Sequence, residues 1–217
     1  MALVGGVHRV RPRTAVALVA VAVVGLLSTS GCSAGTGSPS ASSSARPATA
    51  PTGPPSDLTP ATADGDEQSI GSVATVTVPE GTTSEPGTVD VEGAEQVLLR
   101  LPDGDEQGLP ALQVTWQEDA AAGVLEQSWS TENLKKADQS VHDYVRSPVE
   151  WPGSDESVVS TWTETVPLAA GGTVEVDALS LMVGSDDGAV VYAIAFAPAG
   201  ELDSSTSLAA LRTLTLS

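Results

Sequence analysis

The stretch AVVYAIAFAP, Ala189 to Pro198, decides the architecture. Successive side chains of a strand point to opposite faces. Val190, Tyr192, Ile194 and Phe196 therefore share one face, and Ala189, Val191, Ala193, Ala195 and Ala197 line the other. Small side chains on one face suit a helix lying close against it, so this strand predicts a sheet with helical cover.

The neighbouring segments extend that sheet. TVEVDALSLMV (Thr173 to Val183) turns through GSDDG, in which Ser185, Asp186, Asp187 and Gly188 read as a hairpin tip. SVVSTWTETVPL (Ser157 to Leu168) is rich in β-branched residues. Further upstream, ALQVTWQ places Leu112, Val114 and Trp116 on one face and Ala111, Gln113, Thr115 and Gln117 on the other. QVLLRL (Gln96 to Leu101) and SVATVTVP (Ser72 to Pro79), with Val76 and Val78 on one side, complete six strands.

STENLKKADQSVHDYVRSP gives the main helix. Thr131 is its expected N-cap and Glu132 lies near the positive helix end. Leu134, Ala137, Val141, Tyr144 and Val145 form an apolar stripe, and Pro148 ends it. A short helix capped by Asp203 or Ser204 runs through Leu208 and Leu211. Hairpins without a βαβ rhythm predict an α+β fold: an antiparallel sheet of about six strands, one main helix and a short C-terminal helix.

This order, with a PEG turn after the first strand, resembles the PsbP-like α/β sandwich, a plan shared by actinobacterial lipoproteins of the LpqN type. The resemblance spans about Ser72 to Leu216. It departs from the usual entry, because VTVPEG is followed by Thr82 where an aromatic is common. It implies a binding or assembly role by analogy of fold.

The N-terminus reads as an address. Arg9, Arg11 and Arg13 precede AVALVAVAVVGLL, Ala15 to Leu27. At about 1.5 Å per helical residue that run spans ~20 Å, short of the roughly 30 Å hydrocarbon core, and it matches a secretory signal. The non-adjacent arginines argue against a twin-arginine signal. STSGC, ending at Cys32, resembles a bacterial lipoprotein signal, with small Gly31 before the thiol that would carry lipid; Thr29 stands where Leu is usual. The alternative is ordinary secretory cleavage, for instance after Ala34, which would discard Cys32. Two acyl chains anchor stably where one does not. Cys32 is the sole cysteine, so its use there would leave a domain without disulfides or free thiol.

Residues 1–31 are thus expected to be signal, 32–69 the acylated cysteine and a disordered tether, and 70–217 one domain. The tether composition of Ser, Thr, Ala, Pro and Gly cannot repay ordering, permits O-glycosylation, and gives a reach of roughly 35 Å.

Few residues carry chemistry. His8 leaves with the signal, and His142, expected on the helix flank near Asp138 and Asp143, is then alone. No metal or other cofactor is expected from one histidine and no free thiol. There is no Gly-x-Ser-x-Gly elbow, and Lys135 and Lys136 are preceded three places back by Glu132 and Asn133 rather than by Ser. A carboxylate pair remains open, but nothing selects one. DGDEQ occurs twice, Asp64 to Gln68 and Asp103 to Gln107. Both open like a calcium loop, yet the twelfth positions are Thr75 and Val114 rather than Glu, so polar turns are the expectation.

The tryptophans offer the better surface. Trp116 and Trp162, mid-strand, are expected in the core. Trp129 before the helix and Trp151 after it are candidate contacts for a ligand or partner. Without the three signal arginines, six basic residues face 28 acidic ones, a net of −22. That charge repels nucleic acid and anionic lipid headgroups and suits basic partners, cations or neutral glycans. The expected function is a lipid-anchored protein on the outer face of the cell membrane, or secreted, that binds or scaffolds an envelope protein or glycan. The alternatives are an exported hydrolase using two facing buried acids in a cleft, and a small-ligand carrier with a closed apolar pocket.

Overall fold

The computed structural model describes residues 58–168 and 171–217. The expectations for the signal, for Cys32 and for most of the tether fall on residues 1–57, outside the described residues. Ten strands are described: β1 (Asp66–Ile70), β2 (Ala74–Val78), β3 (Thr83–Pro86), β4 (Ala94–Arg100), β5 (Ala111–Gln117), β6 (Val141–Pro148), β7 (Glu156–Pro167), β8 (Thr173–Gly184), β9 (Val190–Pro198) and β10 (Thr215–Leu216). Helix α1 (Val124–Ala137) joins β5 to β6, and helix α2 (Thr206–Leu211) precedes β10. Seven strands form one sheet in the order β3-β4-β5-β9-β8-β7-β6, and three form a smaller one, β1-β2-β10. Neighbouring strands are antiparallel throughout. The fold class is the expected one, an antiparallel α+β sandwich with one main and one short C-terminal helix, built on more strands than the six anticipated.

The two faces of β9 behave as its alternation requires. Val191, Ala193 and Ala195 belong to a core with Leu112, Val114, Leu181, Val183 and the α2 residues Leu208 and Leu211. The alanine face lets α2 approach closely enough for the Ser207 hydroxyl to donate to the Phe196 carbonyl at 2.9 Å. β2 covers the same side through Ala74, Val76 and Val78. Val190, Tyr192 and Ile194 join Val124, Val158, Trp162 and Met182 in a second core under α1. Gly188 turns the β8–β9 hairpin at φ 85°, the left-handed region that glycine tolerates.

Three expectations need correction. The helix expected from Ser130 to Pro148 is two elements, since α1 begins earlier and ends at Ala137, and its second half is strand β6. Asp138 breaks the helix. Its carboxylate accepts from the Ser140 backbone N–H at 2.9 Å and hydroxyl at 2.7 Å, a local bond that competes with helix continuation. Those Ser140 bonds hold the Asp138 carboxyl below its ordinary range. Thr131 is not an N-cap but sits inside α1, donating to the Gln127 carbonyl at 2.9 Å. His142 is exposed on β6, not on a helix.

The second correction is the domain boundary. Asp66 to Gln68 of the first DGDEQ form most of β1, made possible by Gly65, where a Cβ would overlap the Val78 carbonyl. Leu58 packs against the α2-side core, the Ala61 N–H donates to the Arg212 carbonyl at 2.9 Å, and Arg212 Nε donates to the Thr59 carbonyl at 2.9 Å. The fold thus begins at least twelve positions before Ile70. The third concerns α2, capped by Ser205, whose hydroxyl accepts from Leu208 N–H at 3.1 Å. Asp203 and Ser204 instead belong to a single 3-10 turn, Leu202–Ser204.

Candidate functional site

Helix α1 lies over β6, β7 and β8. Its buried residues are Val124, Ser128, Thr131 and Lys135, spaced by three and four and therefore on one face. That sheet-facing stripe is polar after its first member, and it meets a polar floor. Lys135 Nζ pairs with Glu164 Oε2 at 2.7 Å, and both side chains are nearly fully buried. Trp162 Nε1 donates to the same Glu164 oxygen at 2.9 Å, and the Lys135 ammonium stands 4.5 Å from the Trp162 ring centre. Tyr144 stacks on Trp162 at 5.9 Å and donates to the Ser160 hydroxyl at 2.9 Å. Arg146 pairs with Glu132 at 2.7 Å and donates to the Ser128 hydroxyl at 2.9 Å.

Tyr192 borders this cluster. Its hydroxyl is buried, and among the described residues nothing meets it in hydrogen-bond geometry, although Ser180 lies beside it. Burial pushes the Tyr192 phenol well above its ordinary value, with Tyr144 and Glu164 adding to the effect. Burial likewise raises Tyr144, which Glu132 reinforces. A folded-state phenol pKa above the unfolded one stabilises the protein below about pH 10 and ceases to do so as pH rises beyond it. Denaturant unfolding between pH 8 and 11 is therefore expected to lose up to about 1.4 kcal/mol per pH unit per tyrosine above pH 10. Tyr192→Phe, which removes a buried unpartnered hydroxyl, should flatten that fall and leave stability near pH 7 unchanged or slightly higher. An equally steep alkaline loss in the variant would exclude Tyr192 as its source.

Beside α1, the sheet face over β4, β5 and β9 carries a small pocket of about 70 Å³. The polar parity of β5 noted in the sequence faces this side, with Thr115 and Gln117 lining the pocket together with Gln96 of β4 and Gln127 of α1. Gln96 Nε2 donates to Thr115 Oγ1 at 2.9 Å, and Gln127 Nε2 donates to Gln117 Oε1 at 3.2 Å and the Ala122 carbonyl at 2.8 Å. Gln127, Thr131 and Leu134 recur along this flank of α1, and Leu134 is 43% exposed. The pocket lining holds no charged side chain.

Of the two tryptophans expected at a surface, Trp151 is core. It is 4% exposed, packs with the α2-side cluster, and donates its indole N–H to the Leu214 carbonyl at 3.1 Å. Trp129 lies within α1, half-buried, on the other side of the large sheet. The structure does not bring the pair together. Trp162 is core as expected, and Trp116 is half-buried against the α2-side cluster.

Carboxylates gather elsewhere. A cleft of about 310 Å³ includes Asp155 and Glu156, with Asp186 at the adjacent hairpin tip. Hydrogen bonding and charge from Asp155 raise the Asp186 carboxyl, but both acids are exposed, so they are not the buried facing pair a hydrolase reading asks for. A second cleft of about 280 Å³ is lined by Asp143, Asp177 and Asp203. Asp177 there is satisfied by Thr163 Oγ1 and Gly200 N–H, each at 2.7 Å. Among the described residues no group of three or more His, Cys, Asp or Glu is arranged to hold a metal ion. In the second DGDEQ, Asp105 accepts from the Gln107 and Leu109 backbone N–H groups at 2.8 and 2.9 Å, a polar turn.

The chain is similar to the solution structure of cyanobacterial PsbP (CyanoP) from Synechocystis sp. PCC 6803, with a TM-score of 0.45 and 15% identity over 70% of this chain and 92% of that chain. That similarity is one of layout. No protein-family model matches the chain, nor does any curated protein. The site is accordingly built on its own side chains alone.

Proposed function

We propose that this is an exported protein held by lipid on Cys32 at the outer face of the cell membrane, whose domain binds or scaffolds another envelope component. The observation that supports a binding role is the half-covered sheet. α1 occupies the β6–β8 side, and an uncharged pocket opens over β4, β5 and β9 beside it. The surroundings are strongly acidic. All five lysines and arginines of the described residues are engaged, Arg100 with Glu85, Lys135 with Glu164, Lys136 and Arg146 with Glu132, and Arg212 with Thr59. A binding surface among so many carboxylates discriminates against anionic partners by repulsion. Nucleic acid is therefore not among the proposed partners.

Two measurements test the parts separately. Metabolic labelling with a palmitate analogue should mark the wild type and not Cys32→Ser, and equal labelling would overturn the anchor. Photo-cross-linkers placed at Leu134 or Val89, beside the pocket, should capture a specific component in intact cells. Capture from these positions no greater than from positions on the α2 side would overturn the binding surface.

A further inference from the structure

We infer that the pocket between α1 and the β4–β5 face receives one apolar side chain from a lysine- or arginine-rich segment of a protein partner. The inference rests on the binding role proposed above and specifies the partner's chemistry. The pocket is compact, about 70 Å³, far below the roughly 300–1,000 Å³ of a site that engulfs a whole drug-sized ligand. It therefore suits one side chain projecting from a larger molecule that lies across the open face. Val89, Val91, Met182 and Val190 supply its apolar walls.

The hydrogen-bonding groups at the pocket are of both kinds. Gln96 keeps one amide N–H after donating to Thr115, and Gln117 keeps one after donating to the Glu92 carbonyl. The Thr115 and Tyr192 hydroxyls donate to no described residue, and the side-chain oxygens of Gln96 and Gln127 accept from none. A peptide backbone brings one donor and one acceptor at every residue but proline, so an extended segment meets both kinds. Hydrogen bonding alone does not choose the partner.

Charge does. Residues 47–99 and 101–134 contain no lysine or arginine. Those two stretches supply all of the pocket lining except Met182, Val190 and Tyr192. They also carry Asp90 and Glu92, in the segment of the two valines, and Glu126, next to Gln127, and all three acids are exposed. Arg100, between the stretches, is taken by Glu85 at 3.0 Å, while Lys135, Lys136 and Arg146 are taken by Glu164 and Glu132. Among the described residues no lysine or arginine pairs with Asp90, Glu92 or Glu126. Positive side chains on either side of an apolar one would meet these carboxylates while the apolar one fills the walls. A second copy of this acidic chain is repelled, and a neutral glycan offers the carboxylates nothing.

The test is an NMR titration of the purified protein with three acetylated and amidated pentapeptides, KKLKK, KKSKK and QQLQQ. KKLKK is expected to shift the methyls of Val89, Val91 and Met182 saturably. It should bind at least about fivefold more tightly than KKSKK, which keeps the charge and lacks the apolar side chain. It should exceed QQLQQ, which keeps the apolar side chain and lacks the charge, by a similar factor. Raising salt from 50 to 500 mM should weaken KKLKK at least about fivefold and QQLQQ less than twofold, because exposed charges are screened. Asp90→Asn combined with Glu92→Gln, both on the surface, should weaken KKLKK about three- to tenfold and leave QQLQQ unchanged. Equal affinity for KKLKK and KKSKK would mean attraction by charge alone and would overturn the proposal. Equal affinity for KKLKK and QQLQQ, absence of shifts at the three methyls, or an unaffected double variant would overturn it as well. Capture of a glycan or of an acidic segment by the cross-linkers in intact cells would also overturn it, while the binding role of this face would stand. Capture no greater than from the α2 side would remove the role itself.

Discussion

Trp151→Ala is expected to destabilise the protein by about 3–5 kcal/mol, the range for removing a large aromatic from a core that cannot collapse around the gap. The indole is 4% exposed, packs with the α2-side cluster, and carries an N–H that donates to the Leu214 carbonyl. Loss of the ring would leave that carbonyl without the bond and open a void between the β6–β7 connection and the chain entering β10. Denaturant unfolding checks this, and a change below about 1 kcal/mol would mean the ring is not seated as described. Trp151→Phe, which keeps most of the volume and loses the N–H, should fall between the two. A surface tryptophan would behave otherwise, with alanine changing affinity and leaving stability within about 0.5 kcal/mol.

The second large effect concerns the pair beneath α1. Lys135→Met should cost about 3–5 kcal/mol, because it strands the Glu164 carboxylate, whose Oε2 would keep only the Trp162 N–H. The double change Lys135→Met with Glu164→Leu should recover most of that loss and could exceed the wild type. Two matched apolar side chains avoid the desolvation that a buried ion pair must offset. Thermal unfolding reads this directly, since 1 kcal/mol shifts Tm by roughly 2–4 °C for a domain of this size. Additive losses in the double variant would show that the pair is not coupled and that each residue is held by its other contacts.

These residues also show where sequence reading stopped. The β9 alternation was legible because hydrophobic period-2 patterning is a direct image of burial, and the close approach of α2 followed from the alanines of that strand. The split at Asp138 was not. Leu134, Ala137, Val141, Tyr144 and Val145 mimic an apolar helical stripe, yet Leu134 and Val145 are among the more exposed large apolar residues, at 43% and 40%. The stripe that α1 actually buries is Val124, Ser128, Thr131 and Lys135, which a search for apolar periodicity passes over. Glu164 carried a fainter signal, because it shares parity with Val158 and Trp162 on a strand of β-branched residues and so had to be inside and paired. Trp151 misled for a plain reason: its position next to Pro152 says loop, and a loop residue can still turn inward when a β-strand such as β10 passes beside it. The pocket was half visible, since the Thr115 and Gln117 face of β5 could be read, but the arrival of Gln96 and Gln127 beside it is a matter of strand order and helix placement.

The route by which the chain enters the domain has a practical consequence. Leu58, Thr59 and Ala61 are fastened on the α2 side, and the protein's sole thiol, Cys32, lies upstream of them. Maleimide coupling of unacylated protein to a sensor chip would use that one atom, so every molecule would be grafted through the same end. The described chain enters on the α2 side of the large sheet, opposite α1. Single-site immobilisation, normally an engineering step, is already written into this chain.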